Sequence, residues 1–192
     1  MKKLQKKRSQ GRRLRKRRQI PVISLVGYTN AGKSTILNSL TKSDVFVGDK
    51  LFATLDTSSR RLKFQSGEEF IFTDTVGFIS NLPKYLIESF RSTLEELDEA
   101  HLLLHVVDAS SPHCEDNIKN VRFLLNDLGL SHKPTLMIFN KIDKIDAEQA
   151  MNLSSRYEGV IVEGTNPNSV EKIKEACLVK ITNASNSELI AI

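Results

Sequence analysis

One stretch constrains this chain more than any other: Gly27-Tyr28-Thr29-Asn30-Ala31-Gly32-Lys33-Ser34, continued by Thr35. An apolar run, Val22-Ile23-Ser24-Leu25-Val26, precedes it, and a helix-like pattern, Thr35 to Leu40, follows. A strand, a glycine loop with G-x-x-x-x-G-K-S spacing and a helix, in that order, wrap backbone N–H groups around a phosphate chain. The helix N-terminus behind the loop adds positive potential. Lys33 is placed to reach the outer phosphates, and the Ser34 hydroxyl to ligate Mg²⁺. A purely structural Gly-rich turn is the bland alternative; the strand-to-helix context favours phosphate binding.

The rest of the chain alternates in the way such a loop requires. Residues 61–64 and 70–73 read as short strands joined by Gln65-Ser66-Gly67-Glu68-Glu69, a hairpin-length turn with Gly, so these two are antiparallel. An amphipathic helix is expected over about Tyr85 to Asp98, with Leu86, Phe90, Thr93, Leu94 and Leu97 on one face. Leu102 to Asp108 reads as a buried strand, Glu115 to Leu128 as a surface helix stopped by Gly129, and Thr135 to Phe139 as another buried strand ending at Asn140. Ala147 to Arg156 is helical, Val160 to Val162 a short strand, Val170 to Ile181 a closing helix. This order predicts a three-layer α/β fold with a mostly parallel six-stranded sheet and one antiparallel strand. Right-handed crossovers then bring the loops after the strands to one edge.

The 192 residues, 40% hydrophobic, suffice for one sizeable core. The expected division is a basic arm at 1–19, a globular domain at 20–182 and a loose tail or continuation at 183–192. Residues 1–19 carry eleven Lys or Arg and no acid. That leaves 17 of the 28 basic residues to face 23 acidic ones, a net charge of −6 over 20–192. A basic arm on an acidic body suits a polyanionic partner, nucleic acid first, with a solvated charge run as the alternative. Cys114 and Cys177 form no disulfide framework and suit a reducing compartment. No apolar run is long enough to span a membrane, and no secretory signal opens the chain. A cytoplasmic monomer is expected; an organelle transit peptide fits the arm less well, because its apolar face is poor. His101 and His105, the pair His113-Cys114, and Glu95-Glu96 with Asp98-Glu99 read as structural or solvated residues rather than a metal or acid–base site.

Two further motifs fall on the same edge. Asp74-Thr75-Val76-Gly77 ends a buried strand, where a carboxylate reaches Mg²⁺ through water near Ser34, and Gly77 brings its backbone N–H to a γ-phosphate. In Asn140-Lys141-Ile142-Asp143, Asp143 accepts from the N1–H and N2–H₂ edge of guanine, a donor pair that adenine lacks. Asn140 ties this loop to the phosphate loop, and Lys141 lays its stem over the base. Three ordered motifs point to GTP or GDP as ligand. The long polar connection from Ser43 to Arg60 must supply a hydroxyl that closes over Mg²⁺; Thr54, Thr57, Ser58 and Ser59 are all candidates.

These residues resemble the HflX family of GTPases. Residues 27–35 look like that family's phosphate loop. Leu51-Phe52-Ala53-Thr54-Leu55-Asp56 followed by Arg60-Arg61-Leu62 looks like its first switch, and Asp74 to Ile79 with Leu82-Pro83 like its second. Thr93-Leu94-Glu95-Glu96 and Leu103 to Asp108 extend the likeness over about 20–181. The resemblance implies a Ras-like P-loop GTPase fold, selects Thr54 as the Mg²⁺-closing threonine, and adds Phe52, Ala53, Leu55 and Asp56 to the nucleotide site. It implies binding to the large ribosomal subunit and its rRNA, with ribosome splitting or rescue as the role. It also implies a larger N-terminal domain and helical linker before residue 1, so that the chain reads as an excised G domain or the product of a truncated gene. Two places depart from the family: Thr57-Ser58 stands where Pro-Thr is usual, and Glu163-Gly164-Thr165 where the last guanine loop is usually Ser-Ala-x. Gly164 can still offer a backbone N–H to guanine O6, while Glu163 can repel it or fold differently, which bears on nucleotide affinity rather than on class.

Lys33, Thr54 and Gly77 are the expected catalytic groups, because phosphoryl transfer to water needs positioning and charge neutralisation. Many GTPases orient the attacking water with a Gln just after D-x-x-G, but Phe78 stands there. Slow intrinsic turnover follows, with the missing help supplied by a partner or by another backbone group. The competing readings are a nucleotide-gated binding module with negligible turnover and a ribosome-assembly GTPase.

Overall fold

β1 (Val22–Val26) is buried along its whole length, as suits a strand covered on both faces. It opens the part of the chain that the computed structural model describes, which comprises residues 20–41, 58–64, 67–75, 77 and 95–190. After the glycine loop the apolar period changes: Ile36, Leu37 and Leu40 form the buried stripe of α1 (Lys33–Thr41). β2 (Ser58–Lys63) and β3 (Glu69–Asp74) pair antiparallel, with Arg61 opposite Ile71 and Lys63 opposite Glu69. A 3₁₀ turn at Glu95–Glu99 leads into β4 (Leu102–Asp108). The chain continues through α2 (Cys114–Asp127), β5 (Thr135–Asn140), α3 (Ala147–Tyr157), β6 (Val160–Ile161) and α4 (Pro167–Ile190).

The sheet order is β2-β3-β1-β4-β5-β6, parallel except for the β2–β3 pair. This is the expected six-stranded architecture. β1 pairs with β3 on one side and β4 on the other, so the strand order reverses beside it and opens a crevice at its C-terminal end. The residues of β4 alternate between the two faces. Leu104 and Val106 pack with Ile36, Leu37, Ile173 and Cys177 under α1 and α4. On the opposite face Leu103 joins Val26, Val121 and Leu125, and Val107 joins Ile118 and Phe139, under α2. Burying one such Leu completely stabilises the fold by roughly 1.5–3 kcal/mol. No described helix is long and apolar enough to cross a membrane.

Two helix boundaries differ from expectation. The closing helix, expected over Val170–Ile181, starts at Pro167 and continues to Ile190, into the stretch expected as a loose tail or a continuation. Pro suits the first helical position, where no N–H is needed, and the Asn166 Oδ1 accepts from the Asn168 N–H at 3.0 Å, capping the start. Between Thr182 and Ile190 there is no Pro or Gly to stop the helix. The helix expected over Tyr85–Asp98 falls largely outside the described residues; its last part is the 3₁₀ turn, which buries Leu97 against β4.

Candidate nucleotide-binding site

The loop that leaves β1 and enters α1 is shaped by its backbone. Gly32 has φ +93°, in the left-handed half of the map, and Asn30 has φ +61°. Lys33 is the first residue of α1 and is buried. Its ammonium donates to the Gly27 carbonyl at 3.1 Å and the Tyr28 carbonyl at 3.0 Å, which pulls the side chain back along the loop. Burial pushes its pKa down to about 8, against the opposing pull of Asp74. The buried Asp74 closes β3, and its Oδ2 accepts from the Ser34 hydroxyl at 2.7 Å. Next to it the Thr75 hydroxyl donates to the Leu25 carbonyl at 2.6 Å, locking the strand-end turn onto β1. Gly77 approaches so closely that a Cβ there would lie 2.9 Å from Thr29 Cγ2 and 3.0 Å from Lys33 Nζ. The adjacent Ser34 hydroxyl and Asp74 carboxylate are hard oxygen donors, a set that fits Mg²⁺.

The base side of the crevice is assembled by side chains. Asn140, buried at the end of β5, donates from Nδ2 to the Ala31 carbonyl and accepts at Oδ1 from the Gly164 N–H, both at 2.9 Å. One amide therefore joins the phosphate loop to the last loop. Lys141 has φ +63°, and its ammonium meets the Asp108 Oδ2 at 2.7 Å. The Asp108 Oδ1 accepts from the Ser110 N–H at 3.0 Å and hydroxyl at 2.6 Å. Partial burial opposes charge on Asp108, but the bonds from Lys141 and Ser110 outweigh it and hold the carboxyl below its usual range. Asp143 stands exposed in the 3₁₀ turn Ile142–Lys144. In the last loop the Glu163 N–H donates to Ser169 Oγ at 3.0 Å, and the Glu163 Oε2 accepts from Asn166 Nδ2 at 3.3 Å. The Gly164 carbonyl accepts from the Ser39 hydroxyl at 2.6 Å, and Thr165 is exposed.

The structure thus brings residues 27–35, Asp74, Thr75, Gly77, Asn140 to Asp143 and Glu163 to Thr165 to one edge of the sheet. Phe52, Ala53, Thr54, Leu55, Asp56, Val76 and Phe78 lie outside the described residues. Three side chains that the motifs do not contain also hold the site: Ser39, Asp108 and Ser169. Only the Leu103–Asp108 likeness touched one of them, and nothing local marks the others, since Ser39 meets Gly164 across 125 positions. His101 is structural, its Nδ1 accepting from the Val22 N–H at 3.0 Å. His105 lies beneath the loop, where β4 pairs with β1, and lines a cavity of about 530 Å³ on the α2 side of Tyr28, Thr29 and Asn30. Burial, helped by Arg122 and Lys33, pushes the pKa of this imidazole down to about 3, so it is neutral.

Comparison with known proteins agrees with this geometry. Residues 22–141 match the family described as 50S ribosome-binding GTPase. The chain is 48% identical over 173 residues to the GTPase HflX of Caldanaerobacter subterraneus subsp. tengcongensis, covering 90% of this chain and 40% of that protein. It is 44% identical over 146 residues to the GTPase HflX of Escherichia coli, covering 76% of this chain and 34% of that one. The chain therefore spans well under half the length of these relatives. Among solved structures it resembles a GTP-binding protein from Sulfolobus solfataricus in complex with GDP. The TM-score is 0.67 and the identity 25%, over 94% of this chain and 59% of that one.

Proposed function

The chain belongs to the 50S ribosome-binding GTPase family, as a member of the HflX type, and from that premise we propose that it binds GTP with Mg²⁺, hydrolyses it slowly and couples the nucleotide state to association with the large ribosomal subunit. The observation that carries this reading is the Asn140 amide. By bonding Ala31 on one side and Gly164 on the other, it makes a phosphate loop and two base loops into one site.

In this proposal the amides of residues 28–34 and the Lys33 ammonium bind the phosphates. Lys33 leaves the Gly27 and Tyr28 carbonyls to do so, and the negative charge it meets favours its protonated form. Ser34 holds the metal directly and Asp74 through water; bound there, Mg²⁺ would offset charge on the phosphate oxygens. Gly77 offers its N–H where the terminal phosphate sits, and Asp143 selects guanine. Thr54 is assigned through the likeness to the family's first switch. Phe78 cannot orient water by hydrogen bonding, so turnover depends on help from the partner. Separation or rescue of ribosomes is the proposed use of the cycle, and the cytoplasm its proposed place.

The test is Mg-GTP hydrolysis with and without large ribosomal subunits. Turnover is expected to be slow alone and to rise at least about tenfold with subunits, a small part of what activating partners of GTPases supply. Fast turnover indifferent to subunits would reject the partner-dependent reading. Phe78 favours one alternative, a binding module gated by nucleotide. Its signature is GTP-dependent subunit binding with no single-turnover hydrolysis. The eleven cations of residues 1–19 are proposed to contact rRNA, which predicts a steep salt dependence that is lost with the arm.

A further inference from the structure

We infer that Ser39 is a positioning residue for base recognition, acting through the Glu163-Gly164-Thr165 loop, an inference that rests on the guanine-nucleotide reading. Ser39 lies in α1, six residues after Lys33, and its hydroxyl donates to the Gly164 carbonyl at 2.6 Å. The Gly164 N–H is already engaged by Asn140 Oδ1 at 2.9 Å. The backbone donor left to the loop is the N–H of Thr165, which makes no hydrogen bond to any described residue and whose residue is exposed.

The planarity of the peptide unit connects these facts. The Gly164 carbonyl and the Thr165 N–H belong to one rigid trans plane and point in opposite directions. Holding the carbonyl toward Ser39 therefore aims the N–H away from α1. A purine 6-oxo group is the acceptor this donor suits, since Asp143 takes the N1 and N2 edge of the same ring. The loop is braced on its other side as well. Asn140 holds the preceding peptide through the Gly164 N–H, and Ser169 holds the Glu163 N–H. A Cβ on residue 164 would lie 3.0 Å from Asn140 Oδ1, so the loop packs closely on that amide. Helix α1 thus carries phosphate-binding groups at its start and a brace for base recognition near its end.

The test compares GDP with 6-thio-GDP, in which a weakly accepting sulfur replaces the 6-oxo group. Both are titrated against the wild-type chain, Ser39→Ala and Ser39→Thr. Ala is a better helix former than Ser, so α1 is preserved. Ser39→Ala is expected to lower GDP affinity by about threefold to tenfold, the range for one net hydrogen bond, and to narrow the preference for GDP over 6-thio-GDP. Ser39→Thr, which retains the hydroxyl, is expected to restore both. Equal losses for the two nucleotides, or no loss, would overturn the role of Ser39 while leaving guanine binding intact. Failure of the wild-type chain to bind either nucleotide would instead overturn the guanine reading and this inference with it.

Discussion

Residues 27–34 take their shape from one continuous turn of backbone, with Lys33 folded back on the Gly27 and Tyr28 carbonyls six and five residues away. Residues 140–143 and 163–165 are joined to the rest of the site instead by bonds such as those of Asn140 and Ser39, which span 24 to 125 positions, beside the local bonds of Glu163 to Ser169 and Asn166. The difference matches what each side is proposed to recognise. A phosphate chain is the same in every nucleotide, and a ring of N–H groups set by backbone torsions suffices for it. A base is recognised by its edge, and the donors and acceptors that read an edge must be aimed from several elements. The proposed phosphate side is therefore expected to tolerate little change in its residues, and the proposed base side to tolerate an unusual loop provided its braces remain.

The sharpest attempt to break that contrast is Gly32→Ala, at the seam between the two sides. At φ +93° a side chain is strained, and its Cβ would overlap the Asn140 amide. A combined cost of about 3 kcal/mol corresponds to a loss of nucleotide affinity of roughly a hundredfold by titration calorimetry. Intact binding would mean that backbone torsion does not define the phosphate side.

Asp143→Asn addresses the base side alone. It should turn preference from GTP toward xanthosine triphosphate by about thirtyfold, from loss of charged hydrogen bonds worth roughly 2 kcal/mol. Competition binding reads the ratio, and unchanged selectivity would remove Asp143 from the site.

His105→Leu examines the strand beneath the phosphate side. The unfolded chain binds a proton at this residue near pH 6.5, the folded chain only near pH 3. Between those values the unfolded state holds more protons, so stability falls as pH drops through the interval, by up to about 1.4 kcal/mol per pH unit. Urea melts from pH 6.5 to 4 should show that this contribution to the slope is absent from the variant. Parallel slopes would show that the imidazole is not kept neutral.

The smallest expected effect is that of Glu163→Ser. The carboxylate of Glu163 is taken by Asn166, so GDP affinity should change by less than about threefold, the scale of a weak exposed interaction. A tenfold gain would mean that Glu163 repels the base after all.

Much of this site was legible in the chain. G-x-x-x-x-G-K-S, D-x-x-G and N-K-x-D each follow an apolar run, and each run proved to be a strand with its C-terminal end at the same edge. Such motifs are readable because local backbone geometry and a fixed offset carry the chemistry. Ser39 and Ser169 were not legible, since a single hydroxyl on a helix has no pattern around it. The bond from Asn166 to the Glu163 carboxylate was not legible either, and it bears on whether that charge faces the base. The end of α4 was read as a loose tail or a continuation because its run is polar; the helix, capped at its start by Asn166, extends to Ile190.

By itself, then, the sequence determined the order of strands and helices, the phosphate-loop motif and the place of Asp143 in N-K-x-D, because period and spacing are properties of the chain. Tertiary structure alone decided that the Asn140 amide, expected to tie its loop to the phosphate loop, also holds the last loop at Gly164, that Lys141 is held by Asp108, and that the Gly164 carbonyl faces Ser39. Those contacts depend on where the sheet order reverses and how α1 lies on it. A hydrogen bond between residues more than a hundred positions apart exists only once the fold has brought them together.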